Sequence, residues 1–527
     1  MIGQGLMGWL NPQRLIHLAF RARAGSEFVI FQDQRLTRGQ VYAAIRALAA
    51  GLQALGVGHG DRVATLLPGC PEAVYALFLP PLLGTVHVPL NPLLGEYELR
   101  HILADCGATV VIATRRWLGL DHPALLARLL PDLPDLRHVL IRDATDGDGR
   151  IFRPLSEVLS LGQPLRSVRI SAHDISLISY TSGATGQPKG VAHKRALAPL
   201  LRLGGARLSS SPLRCLLLPY PPYHYAGMFG IAAMLLSGGK VILMERFDPE
   251  QALEHIQTER VSQIGGSPTM YQWLLATPGQ ERYDLSSVRR ITSSSERISP
   301  DLARALHERL GCSLENIYGT TESSVISWTD LHDPWERAAT TVGRPAPGVQ
   351  VRVVDDARRP LPVGAEGEIA VRSPHVMLGY YRDPALTAQV LDVDGWFYTG
   401  DVGALGEDGY LRLVDRKKDL IIRGGQNISP AEIEAYLERH PLIRRAAVVA
   451  APAGIGAEEV WAYVEPQPGA RLTAAEVLSF CRGQIAAFKI PDAVRFVERL
   501  PTTSTGKVQK FKLRESAAQE VAADGAA

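Results

Sequence analysis

Several short strings of the sequence combine glycines, hydroxyls, carboxylates and lysines in ways that suit a phosphorylated nucleotide. The first follows an apolar run that ends at Tyr180, and it reads Thr181-Ser182-Gly183-Ala184-Thr185-Gly186-Gln187-Pro188-Lys189-Gly190. Glycines let backbone N–H groups converge on an anion, while hydroxyls and a lysine add donors and positive charge. The string lacks the Gly-Lys-Ser/Thr spacing of a Walker A loop. It indicates a phosphate cradle, with a flexible surface hairpin as the alternative.

Two further strings place a carboxylate beside an aromatic residue or a turn. In Ile317-Tyr318-Gly319-Thr320-Thr321-Glu322 the aromatic ring can stack on a base, and the carboxylate can hold magnesium together with phosphate oxygens. In Asp394-Gly395-Trp396-Phe397-Tyr398-Thr399-Gly400-Asp401 the final carboxylate can accept both hydroxyls of a ribose. Each string taken alone has a structural alternative. The first could be a turn in which Glu322 is hydrogen-bonded within the protein, and the second a hairpin with an exposed Asp401.

A fourth string lies near the carboxyl end of the sequence. Pro501-Thr502-Thr503-Ser504-Thr505-Gly506-Lys507 is polar and rich in turn-forming residues. A lysine on such a loop is normally only solvated. Lys507 gains a chemical role if the loop is carried to the nucleotide by movement of the C-terminal part of the chain.

The elements that must position these strings alternate between helices and strands in the first part of the chain. Thr37-Arg38-Gly39-Gln40 has the form of a capping box, and apolar residues then recur at helical spacing up to Leu55. Strands are predicted at Val63 to Leu67 and Ala108 to Ala113, with a helix at Tyr97 to Asp105 between them. This alternation predicts an α/β architecture.

The pattern changes at the charged run Asp415-Arg416-Lys417-Lys418-Asp419, which is a candidate domain boundary. Beyond it we expect a compact α+β unit. Its predicted elements are a helix at Ala431 to Arg439, strands at Ala446 to Val449 and Val460 to Val464, a helix at Ala474 to Ala487 and a strand at Val494 to Val497. The Ala-rich segment after Glu515 is expected to be frayed.

Bulk properties exclude several classes of function. A chain of 527 residues exceeds the usual size of one hydrophobic core and predicts at least two domains. A net charge of +2 gives no global field for nucleic acid or anionic lipid, and no apolar stretch reaches the length of a membrane span. Five scattered cysteines without metal-ligand spacing indicate reduced, structural thiols. The first residues do not resemble a secretory signal, so a cytoplasmic location is expected.

In their order and separation, these strings resemble the adenylate-forming superfamily, which comprises acyl-CoA synthetases, peptide-synthetase adenylation domains and beetle luciferases. The resemblance implies a large, multi-subdomain N-terminal domain of the acyl-CoA synthetase/luciferase type at residues 1–415. It also implies a small, mobile C-terminal domain at residues 416–527, with its hinge at Lys418. The implied reaction joins a carboxylic acid to ATP as an acyl adenylate and then transfers the acyl group to coenzyme A (CoA), with Mg²⁺ as cofactor.

The resemblance also implies roles for individual residues. The β- and γ-phosphates would be held by Thr181, Ser182, Gly183, Thr185, Gly186 and Lys189. The adenine site would comprise Tyr318, Gly319, Thr320, Ser294, Ser295 and Glu296. Ribose would be bound by Asp401 and Arg416, and magnesium by Glu322 with Thr181. The implied catalytic residues are Lys507, Glu322, Thr321 and His224. By this resemblance Lys507 would bridge the carboxylate and the α-phosphate, and His224 would lie beside the acyl pocket. Gly424 and Gly425 would let the pantetheine arm of CoA pass close to the backbone.

Some positions depart from the family pattern, namely Ala184, where a hydroxyl is usual, and Ser293-Ser294-Ser295-Glu296-Arg297, where Gly and Pro are usual.

Three segments are candidates for the acyl pocket, Tyr225 to Phe229, Met270 to Trp273 and Ser323 to Trp328, and they carry no fixed charge. They favour an apolar acid, with medium- or long-chain fatty acids slightly ahead of aryl acids.

Alternatives in the acyl acceptor and in the activity stay open. An acyl-AMP ligase that loads a carrier protein would keep the same adenylation motifs. An amino-acid-activating domain, a non-catalytic relative and a luciferase-like oxidation are less favoured. The expected partners are the acid, ATP and CoA, without nucleic acid or integral membrane contact, and a homodimer is one option.

Overall fold

The computed structural model of the protein describes residues 12–147, 150–171, 173–182, 188–194, 214–296, 298–416, 419–423, 426–453, 458–482, 485, 489–503 and 506–524. Within these residues the strands form two large sheets and four smaller ones. Both large sheets are mainly parallel and alternate with helices along the chain, as the α/β prediction requires. No helix in these ranges is long and apolar enough to cross a lipid bilayer.

The first large sheet has eight strands and carries the phosphate-loop string at its end. From one edge to the other the strands are Gly379–Tyr380, Pro188–Lys194, Ile175–Ser182, Val86–Leu90, Arg62–Leu66, Val110–Thr114, His138–Arg142 and Phe152–Pro154. The helices that alternate with them in the chain are Arg38–Ala54, Pro71–Leu77, Pro80–Leu83, Glu96–Cys106, His122–Leu129 and Leu155–Leu159, with 3-10 helix at Leu130–Asp132. The last six strands from Ile175–Ser182 onward are parallel.

The helix that the capping box predicts is present. Thr37 is its N-cap, its hydroxyl accepts from Gln40 N, and the Gln40 side chain accepts from Thr37 N. The apolar side chains of this helix are fully buried, at Val41, Ile45, Leu48 and Leu52. The reciprocal cap and the apolar stripe therefore act together to fix where the helix begins and which side faces the core.

The second large sheet has nine strands and forms one wall of the candidate site. Its strands in spatial order are Arg344–Pro345, Ser324–Trp328, Ser313–Thr320, Arg290–Ser293, Gln263–Gly266, Cys215–Leu218, Lys240–Leu243, Glu27–Phe31 and Gln34–Thr37. The helices of this part of the chain are Pro12–Arg21, Tyr225–Ser237, Pro249–Thr258, Pro268–Ala276, Pro300–Leu310 and Trp335–Thr340, with 3-10 helix at Gln280–Arg282. The six strands from Ser313–Thr320 to Glu27–Phe31 are parallel, so their carboxyl ends share one edge.

A buried arginine holds the helix Tyr225–Ser237, which we call the cavity helix. Arg38 is 1% exposed, and its guanidinium donates to the carbonyl oxygens of Leu235 at 2.7 Å and Met234 at 3.0 Å. A helix leaves its last carbonyl groups without internal partners, and a cation there also suits the helix dipole. Arg38 therefore stabilises the C-terminal end of the cavity helix against the core.

A four-stranded antiparallel sheet follows the two large ones. It consists of Gln350–Val354, Gly367–Arg372, Phe397–Leu405 and Leu411–Arg416, and the helix Pro384–Val390 lies within this part of the chain. A separate two-stranded hairpin is formed by Arg116–Trp117 and Leu120–Asp121. The larger sheet carries Asp401 on its third strand.

The C-terminal part of the chain forms an α+β unit with hydrophobic clusters of its own. It contains the hairpin Ile421–Arg423 and Gln426–Ile428, the three strands Ile443–Pro452, Glu458–Pro466 and Ala493–Phe496, and the helices Pro430–Leu437, Ala474–Cys481 and Lys510–Asp524. Each element expected from the sequence has a counterpart here. The first two strands are longer than predicted, the third is shifted by one residue, and the helix that begins at Ala474 ends at Cys481 rather than at Ala487.

The expectation that the chain frays after Glu515 is wrong. The helix Lys510–Asp524 covers this segment, with Leu513 5% exposed and Ala517 fully buried. Arg514 also forms an ion pair with Asp419. These contacts with distant parts of the chain hold the helix in place, although its sequence has only a sparse apolar pattern.

All five cysteines are buried free thiols, as expected of structural residues. Burial raises the pKa of the Cys106, Cys215 and Cys312 thiols to about 12, so that they stay protonated and unreactive at neutral pH.

Candidate functional site

The phosphate-loop string begins and ends in two paired strands. Thr181 is the Cα partner of Lys189, and Ser182 is the partner of Pro188, in the antiparallel pair Ile175–Ser182 and Pro188–Lys194. The residues at the two ends of the string therefore lie side by side in an antiparallel pair, whose first strand runs parallel to Val86–Leu90. The hydroxyl of Thr181 is buried, and no described residue gives it a hydrogen-bond partner. A buried hydroxyl in that state suits an incoming ligand.

Lys189 and Glu322, which are far apart in the sequence, lie together through Tyr380. Lys189 Nζ donates to the Tyr380 hydroxyl at 2.6 Å, and that hydroxyl donates to Glu322 Oε1 at 3.1 Å. Lys189 Nζ is also 3.8 Å from Glu322 Oε1 and 4.0 Å from the centre of the Tyr380 ring. The phosphate-loop lysine and the expected magnesium carboxylate thus share one site.

Tyr380 is a site residue that the sequence analysis missed. Its strand Gly379–Tyr380 pairs with Pro188–Lys194, which places the phenol next to the phosphate-loop hairpin. The residues Gly379-Tyr380-Tyr381 follow no nucleotide motif, and the contact joins positions 191 residues apart. No local pattern in the sequence could have found it.

The Tyr318 string lies on a tight hairpin between Ser313–Thr320 and Ser324–Trp328. Main-chain groups of this hairpin are held from outside, because His193 Nε2 contacts Thr321 O at 2.7 Å and Met377 N donates to Glu322 O at 2.7 Å. Burial lowers the pKa of His193, so its ring is neutral and donates to that carbonyl. The hairpin is thereby fixed at both Thr321 and Glu322.

Tyr318 and Asp401 meet directly. The Tyr318 hydroxyl donates to Asp401 Oδ2 at 2.6 Å, and the two residues are 7% and 6% exposed. Asp401 follows Gly400, whose φ of +72° suits a residue without a side chain. The alternative of an exposed aspartate on a hairpin is therefore wrong. Arg416 is the Cα partner of Asp401 in the neighbouring strand.

The string Ser294-Ser295-Glu296 follows the strand Arg290–Ser293 at the carboxyl edge of the nine-stranded sheet. Tyr220 donates its hydroxyl hydrogen to Ser294 O at 2.9 Å and accepts from Ser294 Oγ at 3.1 Å. Ser295 has a φ of +74°, which is uncommon for a residue with a side chain. The string thus lies directly beyond the carboxyl end of this strand, where Tyr220 holds Ser294.

Glu296 connects this edge to the Lys507 loop. Its Oε2 accepts from Thr269 Oγ1 at 2.9 Å, and burial raises its pKa, although the positive charges of Arg445 and Lys507 act in the opposite direction. A Cβ atom on Gly506 would lie 2.9 Å from Thr269 Cγ2. Gly506 therefore lies against the helix Pro268–Ala276, and the charge of the adjacent Lys507 acts on Glu296. The Lys507 side chain is exposed, but it also interacts electrostatically with Glu296.

A cavity of about 230 Å³ separates the nine-stranded sheet from the cavity helix. Most of its wall is apolar, and its nucleotide end includes Ser294, Ser295, Thr320 and Thr321. The remaining lining residues are Leu216, Leu218, Tyr220, His224, Tyr225, Ala226, Phe229, Gly230, Ala233, Met234, Gln263, Gly265, Arg290, Thr292, Ile317, Gly319, Ser324 and Val325. The cavity thus joins an apolar chamber to the residues of the expected nucleotide site.

His224 is the N-cap of the cavity helix and lies in the cavity wall. Its Nε2 atom is buried without a hydrogen-bond partner among the described residues. Burial lowers the pKa of His224 to about 4, so the imidazole is neutral at physiological pH. A neutral ring in this position can orient a ligand by a hydrogen bond, and it carries no charge toward the acid.

Two of the three segments expected to line the acyl pocket do so. Tyr225 to Phe229 contributes three residues and Ser323 to Trp328 contributes two, but Met270 to Trp273 contributes none. Tyr271 is in the hydrophobic core, and Trp273 stacks on Phe247 outside the cavity. Alternation along the strands instead brings the polar residues Gln263 and Arg290 into the wall, so the cavity does contain a fixed cation.

Several site residues lie outside the described part of the chain. These are Gly183, Ala184, Thr185, Gly186, Lys418, Gly424 and Gly425, and the side chains of Ser182 and Arg416. Their roles remain those that the resemblance implies.

The fold and the site define a nucleotide-binding α/β enzyme with an apolar chamber next to the nucleotide residues. A family profile described as AMP-binding enzyme matches residues 18–381, and one described as AMP-binding enzyme C-terminal domain matches residues 432–507. The chain belongs to the AMP-binding enzyme family, as an AMP-dependent enzyme of the acyl-CoA synthetase type. The family and fold class predicted from the motifs are thereby confirmed.

Relatives of known activity agree with this assignment. The chain is 36% identical over 520 residues to a feruloyl-CoA synthase from an Amycolatopsis species, covering 98% of this chain and 99% of the relative. It is 35% identical over 494 residues to the medium-chain fatty-acid–CoA ligase of Escherichia coli, covering 91% of this chain and 86% of the relative. The crystal structure of the anthranilate CoA ligase AuaEII with anthranoyl-AMP superposes with a TM-score of 0.87 at 27% identity, covering 97% of this chain and 98% of that one.

Proposed function

We propose that the protein is an AMP-forming carboxylate–CoA ligase that converts an acid, ATP and CoA into acyl-CoA, AMP and pyrophosphate. One observation carries the proposal. The apolar cavity shares Ser294, Thr320 and Thr321 with the expected nucleotide site, so an acid in the cavity presents its carboxylate to bound ATP. Acyl transfer to CoA is the activity named for the relatives described above.

The nucleotide is assigned to the residues that meet around Tyr318. Asp401, already accepting from the Tyr318 hydroxyl, has further lone pairs for the ribose hydroxyls, and Arg416 on the paired strand serves the same sugar. The Tyr318 ring then lies beside adenine together with Gly319, Ser294, Ser295 and Glu296. We assign the β- and γ-phosphates to the phosphate-loop string and to Lys189, which would exchange its contact with Tyr380 for phosphate oxygens.

Magnesium fits next to Lys189. Glu322 offers a carboxylate and Thr181 a buried hydroxyl without a partner in the described structure, and both are oxygen ligands of the kind this ion prefers. Phosphate oxygens and water would complete such a site. Bound there, the ion would neutralise phosphate charge.

The first half-reaction needs two anions to approach each other. A carboxylate oxygen of the acid forms a bond to the α-phosphorus, the bond to the bridging oxygen breaks, and pyrophosphate leaves with that electron pair. Lys507 would contact both the carboxylate and the α-phosphate, offsetting the charge that accumulates in the transition state. The contact of Gly506 with Thr269 and the effect of the Lys507 charge on Glu296 support this role.

The second half-reaction needs access for a thiol. The CoA sulfur forms a bond to the acyl carbon, the thiol proton is released, and AMP leaves with the carboxyl oxygen. We assign the change between the two steps to rotation of residues 416–527 against residues 1–415 about Lys418, with Gly424 and Gly425 along the path of the pantetheine arm. His224, neutral and next to the acyl end of the cavity, would orient the carboxyl group in both steps.

The proposal is tested with the purified chain, a panel of carboxylic acids and labelled pyrophosphate. We expect acid-dependent exchange of pyrophosphate into ATP, followed by thioester formation when CoA is added. A carrier protein bearing phosphopantetheine is the second acceptor, because a preference for it over CoA would favour the acyl-AMP ligase alternative. Absence of exchange with every fatty and aryl acid of the panel would refute the proposal.

Location and assembly are separate expectations. Five buried, free thiols suit the reducing cytoplasm, where we place the reaction. A homodimer remains an option, and light scattering on the purified protein decides it.

A further inference from the structure

An arginine from another part of the C-terminal unit holds the main chain directly before Lys507. Arg445 lies in the strand Ile443–Pro452, and its Nη1 and Nη2 atoms both donate to Gly506 O at 3.3 Å. This oxygen belongs to the peptide bond between Gly506 and Lys507. Two donors from one rigid guanidinium restrict the rotation of that peptide group. Arg445 thereby limits the directions in which the Lys507 side chain can leave the main chain.

The other hydrogen bonds of this turn stay within it. Gly506 N donates to Thr503 O at 3.0 Å, and Thr503 N donates to Lys507 O at 2.8 Å. Lys507 N donates to Thr503 Oγ1 at 3.2 Å. These bonds close the turn on itself, and none of them reaches the strand Ile443–Pro452. The bonds from Arg445 do reach that strand, so they fix the turn relative to the sheet of the C-terminal unit.

The opposite side of Gly506 meets the N-terminal part of the chain. Gly506 has a φ of +90°, and a Cβ atom there would lie 2.9 Å from Thr269 Cγ2. Both the backbone conformation and the close approach therefore require glycine. Thr269 in turn donates to Glu296 Oε2 at 2.9 Å. A continuous set of contacts thus runs from Arg445 through Gly506 and Thr269 to Glu296, in the proposed adenine site.

Charge connects the two ends of this set. Glu296 Oε1 is buried and has no hydrogen-bond partner among the described residues. Burial raises the pKa of Glu296, and the hydrogen bond from Thr269, the charge of Arg445 and then the charge of Lys507 oppose this rise. Arg445 is thus the stronger of the two cations in its effect on Glu296. A lysine that had to compensate this carboxylate alone would be drawn toward it and away from the reacting anions.

Resting on the proposed function, we infer that Arg445 is a positioning residue for the adenylation step. It holds the peptide group before Lys507 against Thr269, and its charge compensates Glu296, so that the Lys507 ammonium is directed to the carboxylate and the α-phosphate. Arg445 contacts neither of these groups itself. Its effect on the rate therefore depends on the presence of Lys507, which a purely structural role in the C-terminal unit would not require.

The two half-reactions provide the first test. Arg445→Met keeps most of the side-chain stem and removes the donors and the charge. Because a misplaced catalytic group loses on the order of 10²-fold in rate per ångström, we expect pyrophosphate exchange to fall about 10- to 100-fold. Transfer to CoA from supplied acyl adenylate should stay near the wild-type rate. Arg471→Met, which removes an exposed arginine from the same unit, is the control and should keep both activities.

A double-mutant cycle with Lys507 provides the second test. In the Lys507→Ala background, Arg445→Met should have no further effect on the exchange that remains, since no ammonium is left to position. Thermal unfolding checks that each variant is folded. If Arg445→Met does not fold, Arg445→Lys, which keeps the positive charge, takes its place in the same cycle. It should likewise lower exchange in the wild-type background and have no effect in Lys507→Ala.

Three outcomes separate the inference from the proposed function. A loss that is equally large with and without Lys507 would overturn the inference, because Arg445 would then act independently of that residue. Wild-type exchange in a folded Arg445 variant, or equal loss of both half-reactions, would also overturn it, and the proposed function would stand. Absence of acid-dependent exchange in the wild-type protein would instead overturn the proposed function.

Discussion

Gly319 lies where the hairpin formed by Ser313–Thr320 and Ser324–Trp328 leaves no space for a side chain. A Cβ atom at this position would lie 2.2 Å from Ser324 O and 3.1 Å from Val325 Cα, both of them main-chain atoms. Contact becomes favourable near 3.5 Å, so the Gly319→Ala variant must separate the two strands by about 1 Å. Ser324 already has a φ of +63°, which limits how far the backbone can adjust there. The displacement would move Tyr318 and Thr320, which belong to the proposed adenine site.

The cost of this displacement should appear when ATP binds. Without ATP the displaced hairpin can relax, whereas ATP binding requires it to return to its original position. Returning should cost the roughly 1–3 kcal/mol typical of overpacking. This cost corresponds to a KM for ATP that is raised about 5- to 150-fold. Pyrophosphate exchange at varied ATP measures this, with thermal unfolding as the check on folding. Gly265→Ala is the control, because its Cβ would meet only Leu216 Cδ1 at 3.7 Å, and it should raise the KM for the acid instead. An unchanged KM for ATP in folded Gly319→Ala would refute the assignment of this hairpin.

Three further predictions concern the ribose, the cavity histidine and the hinge. Asp401→Ala should raise the KM for ATP about 10- to 150-fold, as expected for loss of a charged acceptor worth about 1.5–3 kcal/mol, and an unchanged KM in the folded variant would remove Asp401 from the site. Because burial lowers the pKa of His224 from 6.5 to about 4, its neutral form contributes stability that is complete above pH 6.5 and is lost as the pH falls through 4. An NMR titration that shows the His224 ring protonating near pH 6.5 would contradict this. Lys418→Pro should impair transfer to CoA more than adenylation, since proline fixes φ at the proposed hinge, and equal loss of both steps would count against rotation about Lys418.

The sequence predicted those parts of the fold that local chemistry determines. Thr37 and Gln40 form their capping box without help from the rest of the chain, and the helix begins where that pair predicts. The strings around Tyr318 and Asp401 were recognisable because each groups several functional residues within a short stretch. Their direct contact was not predictable from either string, since it depends on how two different sheets meet.

The residues that the sequence analysis missed depend on pairing between distant segments. Tyr380 enters the site through a strand of two residues, and Arg290 enters the cavity through the alternation of side chains on a strand whose facing helix was not known. The helix Lys510–Asp524 was missed because its stability comes from contacts such as that between Arg514 and Asp419 rather than from its own pattern. In all three cases the deciding interactions are tertiary.

Lys507 provides the most direct test of the account, because the proposed mechanism requires it in one half-reaction and not in the other. Lys507→Ala should reduce acid-dependent pyrophosphate exchange by roughly 10² or more, the scale of one lost charge contact in a transition state. The same variant should transfer the acyl group to CoA at nearly the wild-type rate when acyl adenylate is supplied. Lys512→Ala, which removes an exposed lysine from the same part of the chain, is the control and should keep both activities. Equal loss of both half-reactions in Lys507→Ala, or exchange at the wild-type rate, would contradict the account.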